Sequence, residues 1–165
     1  HIYNRRGIIE ILNAEMQRKQ RFDDYFSLII ADLDDFKKIN DTYGHLFGDY
    51  VLTRFSDILV NDILRKIDSI GRFGGEEFMI ILPSTDIAGA EIVAGRINRI
   101  ISSTLFNDEI TGKSARVSVS LGISNSKHGN KMEEIIQNAD MALYRAKSNG
   151  KNGFVTYSEA LKQII

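Results

Sequence analysis

The sequence predicts a mixed α+β domain: a central, mainly antiparallel five-stranded sheet flanked by helices. Three observations carry this prediction. Helical and strand-like apolar patterns are interleaved along the chain. Two strand-like runs meet at Gly74-Gly75, which forces an antiparallel pair between them. No repeat, low-complexity tract or linker divides the 165 residues, so a single domain spanning 1–165 with one core is expected.

The elements follow in order. From Arg5 to about Arg21, Ile8, Ile9, Leu12 and Met16 recur at helical spacing among charged residues, which predicts an amphipathic leading helix. Tyr25 to Ala31 is a short apolar run ending at Asp32 and suits a buried strand. One helix starts at about Asp35 and breaks near Gly44; a second runs from about Phe47 to Arg65. Ser69–Phe73 and Glu77–Leu82 flank Gly74-Gly75 as the arms of a hairpin, both glycines being suited to the positive φ of a tight primed turn. Pro83 ends the second arm, and Ser84, Thr85 or Asp86 can cap a helix running to about Ser103. Arg116 to Ser124 alternates as a strand, with Val117, Val119, Leu121 and Ile123 on one face. Met132, Ile135, Ile136, Ala139, Leu143 and Ala146 form the stripe of a helix from Lys131 to Lys147, with Gly150 as its C-terminal cap. Phe154 to Tyr157 reads as a last strand, and Ser158 to Ile165 as a frayed helix.

Composition narrows the chemistry. Apolar residues make up 43% and charged residues 26%, as in ordinary water-soluble domains. No run approaches the roughly 18 apolar residues of a membrane span, so no direct membrane insertion is expected. With no cysteine, disulfide scaffolds, thiolate metal sites and cysteine nucleophiles are excluded, which fits a reducing, cytoplasmic setting. A net charge of −1 implies no broad surface for nucleic acid. The opening His1-Ile2-Tyr3-Asn4 has no signal-peptide character and reads as a cut inside a larger polypeptide.

The informative residues are carboxylates. Asp32 and Asp34 stand at the exit of the first strand, where mixed sheets commonly place ligands, although Asp34 or Asp35 could equally cap the next helix. Glu76 and Glu77 open the second hairpin arm; adjacent strand residues face opposite sides, so only one can share a site with Asp32. If the hairpin pairs beside the first strand, Glu76 and Asp32 could meet and chelate Mg²⁺ through oxygen ligands. On their own, the two glutamates would suit a solvated hairpin tip.

The full run Arg72-Phe73-Gly74-Gly75-Glu76-Glu77-Phe78 resembles the signature of the GGDEF family of diguanylate cyclases, in its Glu-for-Asp form. Asp32-Leu33-Asp34-Asp35-Phe36-Lys37-Lys38-Ile39-Asn40-Asp41-Thr42-Tyr43-Gly44-His45, followed by Gly48-Asp49, matches the family's other long motif. Val119–Ile123 and Ala139–Lys147 match too, and the motifs lie in family order from Asn4 to about Asn152.

The resemblance implies a nucleotidyl-cyclase, palm-like fold with the GGEEF motif on its hairpin. It implies condensation of two GTP into cyclic di-GMP and two pyrophosphates, by attack of each 3′-hydroxyl on the other nucleotide's α-phosphate across a transient homodimer of half-sites. Asp32, the Leu33 carbonyl and Glu76 would hold Mg²⁺ (or Mn²⁺), with Glu76 assisting proton removal and Glu77 near the metal. Gly74 and Gly75 would let backbone approach the nucleotide. Asn40 and Asp49 would read guanine, and Lys37, Lys147 and Lys151 would contact the triphosphate. His45 is either a substrate contact or part of the turn after Gly44. Phe36 reads as core, Asp34 as structural and His128 as a solvated loop residue.

Arg65-Lys66-Ile67-Asp68 alone would be a solvated helix-end pair. With five residues, Ser69 to Phe73, between Asp68 and Gly74, it falls at the family's spacing for a product-inhibition site, with Arg96 in position to add a second arginine across a dimer contact. The resemblance therefore implies cyclic di-GMP as both product and inhibitor. It also implies an upstream sensory or dimerising region in a parent signalling protein, whether or not that parent is membrane-anchored. Only His1-Ile2-Tyr3 stands where the family's Asp-x-Leu-Thr-Gly-Leu turn normally precedes Asn4-Arg5-Arg6, so weaker anchoring of the leading helix is expected. The rival readings are an inert module binding GTP or cyclic di-GMP, an RNA-binding α+β module and a structural interaction domain. The intact acid and glycine motifs disfavour the first, and the absence of an aromatic-basic strand motif disfavours the second.

Overall fold

The computed structural model describes residues 2–22, 24–158 and 160–161. A five-stranded sheet in the order β2-β3-β1-β6-β7 forms its centre. The strands are β1 (Phe26–Leu33), β2 (Ser69–Arg72), β3 (Glu77–Pro83), β6 (Val119–Asn125) and β7 (Phe154–Thr156). All neighbours are antiparallel except β6 and β7, so the predicted mainly antiparallel sheet is observed.

β1 is the middle strand and is buried along its whole length, which is why its sequence is a continuous apolar run rather than an alternation. Its even-numbered side chains, Phe26, Leu28 and Ile30, pack with Met79 and Ile81 of β3 under α1 (Arg5–Phe22) and α5 (Met132–Ser148). Its odd-numbered side chains, Ile29, Ala31 and Leu33, face the layer of α2 (Phe36–Tyr43), α3 (His45–Ile58) and α4 (Ile87–Ser103). Phe36 is in that core, as expected. β6 is covered on both faces, and a Cβ on Gly122 would overlap the Ala139 carbonyl and the Leu143 amide of α5. Only glycine permits that approach.

Asp86 caps α4, its carboxylate accepting from the Gly89 amide at 2.8 Å. Gly150 follows α5 at φ 108, as its predicted cap role requires. Among the described residues no helix is long and apolar enough to cross a membrane.

Several expectations change. The helix predicted to reach Arg65 is regular only to Ile58 and continues as a π-helical turn, Leu59–Ile63. A second, two-stranded hairpin, β4 (Leu105–Asp108) with β5 (Lys113–Arg116), was not foreseen. It packs on α2 and α3 through Tyr50 Oη, which donates to the Asn107 carbonyl at 2.7 Å, and Lys113 Nζ, which donates to the Tyr43 carbonyl. Gly74 and Gly75 do not adopt positive φ, because four residues (73–76) join the arms and no primed turn is needed. His128 lies in a short 3₁₀ turn against Tyr157, at 5.6 Å between ring centroids, and its Nδ1 is buried rather than solvated. The predicted terminal helix falls largely outside the described residues.

Candidate active site

The site is built where β1 leaves the sheet beside the β2–β3 hairpin. Leu33 N–H donates to the Glu76 carbonyl at 3.3 Å, the last cross-strand bond before the two chains diverge. Arg72, to which the sequence assigned no role, fastens the tip: its Nε and Nη2 donate to the Gly75 carbonyl at 3.0 and 2.6 Å. A Cβ on Gly74 would overlap the Glu77 carboxylate and have to displace it, whereas a Cβ on Gly75 would meet nothing within 4 Å. The first glycine leaves the Glu77 carboxylate where it stands, and the second leaves open space where a ligand can approach.

A cleft of about 400 Å³ lies between this tip and α2–α3, lined by Lys37, Asn40, His45, Asp49, Gly75 and Glu76 among others. Six residues singled out from the sequence thus share one surface. Gly48 explains how Asn40 sits there, because a Cβ at that position would overlap the Asn40 Oδ1. A larger depression, about 690 Å³, continues across Asp49, Leu52 and Arg72 to Ile2 and Val60, but Asp49 is the only predicted site residue that lines it. The smaller cleft is therefore the better candidate.

Asp32, Leu33, Gly74, Glu77, Lys147 and Lys151 stand beside this cleft rather than lining it. Asp32 is 6% exposed, and its Oδ2 pairs with Lys147 Nζ at 2.8 Å. Burial pushes its carboxyl above the usual range, and Lys147 acts in the opposite direction. The cross-strand partner of Asp32 is Glu77, so the register differs from the expected meeting of Asp32 with Glu76. Glu76 lies just past the end of the ladder, on the cleft side.

Asp34 accepts from Ser118 Oγ at 2.7 Å, Ser120 Oγ at 2.6 Å and the Asn152 amide at 3.0 Å, which makes it a structural acid. Asp35 occupies the N-cap position of α2 without making a side-chain cap, because its carboxylate pairs instead with Lys151 at 2.8 Å. That bond holds the Asp35 carboxyl below its ordinary range. Sequence reasoning also missed Asp140 on α5. Desolvation, then the nearby Glu77 charge, push its carboxyl up to about 6 even though the residue as a whole is exposed.

The donors fit a hard divalent cation, because Asp32, Glu76 and the backbone carbonyls beside them offer only oxygen. Among the described residues no three carboxylate or imidazole groups gather to hold a metal alone. That suits a cation held by one or two carboxylates and completed by phosphate and water.

Arg65 and Asp68 come together elsewhere, on a separate cleft of about 310 Å³ that Tyr3 and Leu64 also line. Arg65 Nη2 donates to Asp68 Oδ1 at 2.7 Å and to Thr85 Oγ1 at 2.8 Å, and Asp68 accepts from the Arg65 amide at 2.7 Å. Arg96 lies on α4, donating to the Asp62 carbonyl at 3.1 Å, outside that cleft.

The profile of the diguanylate cyclase GGDEF domain matches residues 1–153. The chain belongs to the GGDEF family. Similar curated proteins include the response regulator PleD of Caulobacter vibrioides, 37% identical over 155 residues, covering 93% of this chain and 34% of PleD. Diguanylate cyclase DgcS of Shewanella oneidensis is 38% identical over 149 residues, covering 90% of this chain and 48% of DgcS. The GGDEF chain therefore spans between about a third and a half of these relatives. Among solved structures, the active GGEEF domain of a diguanylate cyclase from Vibrio cholerae aligns with a TM-score of 0.87 at 32% identity, covering 96% of this chain and 99% of that one. The GGDEF domain of DgcB from Caulobacter crescentus, solved with c-di-GMP, aligns with a TM-score of 0.87 at 27% identity, covering 94% and 91%. The α+β fold and the GGDEF family are thus those expected from the motifs.

Proposed function

We propose that this domain is a diguanylate cyclase that condenses two GTP into cyclic di-GMP and two pyrophosphates. The carrying observation is the cleft that gathers Lys37, Asn40, His45, Asp49, Gly75 and Glu76 next to the buried Asp32. Asn40 and Asp49 read the guanine edge, the aspartate accepting from N1–H and the N2 amine; adenine offers no matching donors and leaves buried polar groups unpaired. Lys37, Lys147 and Lys151 bind the triphosphate, and His45 closes the cleft beside Asn40. Asp32, the Leu33 carbonyl and Glu76 hold Mg²⁺ (or Mn²⁺), which when bound neutralises phosphate charge.

Glu76 accepts the proton of the 3′-hydroxyl. A bond forms from that oxygen to the α-phosphorus of the second nucleotide, and the bond to its β-phosphate bridge breaks, releasing pyrophosphate. The reciprocal attack closes the ring, so two domains must face one another as a transient homodimer. Arg65 and Asp68 bind the cyclic product and inhibit, with Arg96 reaching across a dimer contact. Arginine suits phosphate, and aspartate suits the guanine donors.

The test is incubation with GTP and Mg²⁺ and product analysis by mass, in parallel with Glu76→Gln. Cyclic di-GMP from the parent and its loss from the variant are expected. Product from Glu76→Gln at the parent rate would overturn the role of Glu76. GTP binding without turnover in the parent would instead assign the chain to the inert binding module. Titration of cyclic di-GMP against the parent and Arg65→Ala checks the inhibitory site, which is wrong if both are inhibited equally.

A further inference from the structure

Asp32 and Lys147 form a pair that the condensation chemistry does not explain. The carboxylate is buried at the end of β1, and the cation that meets it comes from the last turn of α5. Helix α5 cannot slide to break the contact, because its backbone at Ala139 and Leu143 is seated against Gly122. The lysine side chain, however, is 38% exposed against 9% for Asp32, so it can rotate away while the acid stays in place. One partner is fixed, and the other has a way out. Lys151 and Asp35 form a parallel pair at 2.8 Å, but both of those side chains are well exposed.

We propose that Lys147 is the resident counter-ion of Asp32, holding the carboxylate while the nucleotide site is empty and transferring to the triphosphate as a divalent cation takes its place. This rests on the assignment of Asp32 as a metal ligand in the proposed function. An ionised carboxylate buried without a cation is costly, so the charged form of Asp32 keeps a cation beside it whether the site is empty or filled. An ammonium at hydrogen-bond distance and a divalent cation in direct contact with the same carboxylate repel each other, so the two compete. Without nucleotide, displacing Lys147 exchanges its recorded ion pair with Asp32 for water. With nucleotide, phosphate oxygens replace the lost carboxylate. Metal and triphosphate therefore bind cooperatively, each raising the affinity for the other by the same factor. The domain takes metal together with nucleotide and holds little of it alone.

The test is Mn²⁺ binding to the nucleotide-free domain, followed by calorimetry and electron paramagnetic resonance. Lys147→Met should bind Mn²⁺ more tightly than the parent, on the order of tenfold, while the strengthening of Mn²⁺ binding by a non-hydrolysable GTP analogue shrinks by a similar factor. Lys147→Arg keeps a cation on Asp32 and should stay at or below parent affinity. Lys127→Gln removes a lysine beside Tyr25 at the opposite end of β1, leaves Asp32 paired and should match the parent. Thermal melts establish that each variant is folded, and Lys147→Gln replaces Lys147→Met if the latter is not. Lys147→Met and Lys147→Gln binding Mn²⁺ no tighter than the parent would overturn the proposal. Asp32→Asn separates the two layers. If it retains Mn²⁺, the metal assignment itself fails; if it loses Mn²⁺ while the Lys147 variants gain none, only the counter-ion role fails.

Discussion

Asp34→Ala should cost the fold and Asp32→Asn should cost the reaction, although the two acids are two residues apart. Asp34 is 6% exposed and accepts three hydrogen bonds, of which the one from Ser120 is wholly buried. Hydrogen bonds to a charged group contribute about 1.5–3 kcal/mol each. Ser118 and Asn152 reach solvent, so water replaces part of what they lose. Counting Ser120 in full and the other two at half gives about 3–6 kcal/mol, a large share of the roughly 5–15 kcal/mol that stabilises a domain. At about 2–4 °C per kcal/mol, the melting temperature should fall by about 6–24 °C.

Asp32 works in the opposite sense. Its folded carboxyl titrates above its ordinary value, chiefly through desolvation. A group of this kind binds its proton more tightly in the fold than in the unfolded chain, so neutralising it favours the fold. Asp32→Asn strands Lys147, but that side chain is 38% exposed and can be hydrated. The net change should lie within about 1 kcal/mol, while cyclic di-GMP formation is lost. Urea denaturation followed by circular dichroism, paired with product analysis, measures both. Asp34→Ala melting within about 2 °C of the parent, or Asp32→Asn failing to fold, would refute the division.

Gly48→Ala should leave the domain folded, since alanine is about 1 kcal/mol better in a helix interior and the overlapping atom is the movable end of Asn40. GTP affinity should fall on the order of tenfold as Asn40 is displaced, and unchanged affinity would count against Asn40 as a guanine contact. Gly122→Ala should lower stability by about 3 kcal/mol, because its Cβ meets the backbone of α5, which cannot yield; the urea midpoint reads this directly. Asp140, pushed up to about 6, binds its proton more tightly in the fold, so its contribution to stability is present at low pH and is lost as pH rises from about 4 through about 6. The residue is exposed and solvent-screened, so the effect is modest; carboxyl carbon titration by NMR should show the raised value, and Glu77→Gln should lower it.

The parts of the fold legible in the sequence were those set by local periodicity. The apolar run of β1 and the stripe of α5 each follow from side chains within one element, and a cap was expected at Ser84, Thr85 or Asp86, of which Asp86 serves. The β4–β5 hairpin was missed because its strands are only four residues each and largely polar, and it is held to α3 by Tyr50 from outside its own sequence and to α2 by its own Lys113. Gly112 at φ 65 was the available signal. The glycine pair at 74–75 was legible as a hairpin but misread in conformation, because spacing alone did not reveal a four-residue connection. In the site, the motif residues were legible and their cations were not placed. Nothing local in the sequence says that Lys147 lies on Asp32 or Lys151 on Asp35, since only the seating of α5 on β6 brings those segments together.

The two glutamates of the hairpin show where the alternation rule stops. Inside the ladder, parity decides, and it sets Glu77 opposite Asp32 on the face shared with Met79 and Ile81, toward α5 and Asp140. Beyond the Leu33 to Glu76 bond there is no ladder left to impose parity. Glu76 is instead directed by the tip, which Arg72 fastens through the Gly75 carbonyl, and it lines the cleft with Asn40 and Asp49. Neighbours in sequence therefore meet different surroundings, Glu77 a second carboxylate and Glu76 an open cleft. A site at the frayed end of a rigid sheet gains from this. The buried strand holds Asp32 in place, while the end of the ladder lets the next acid along turn toward the substrate.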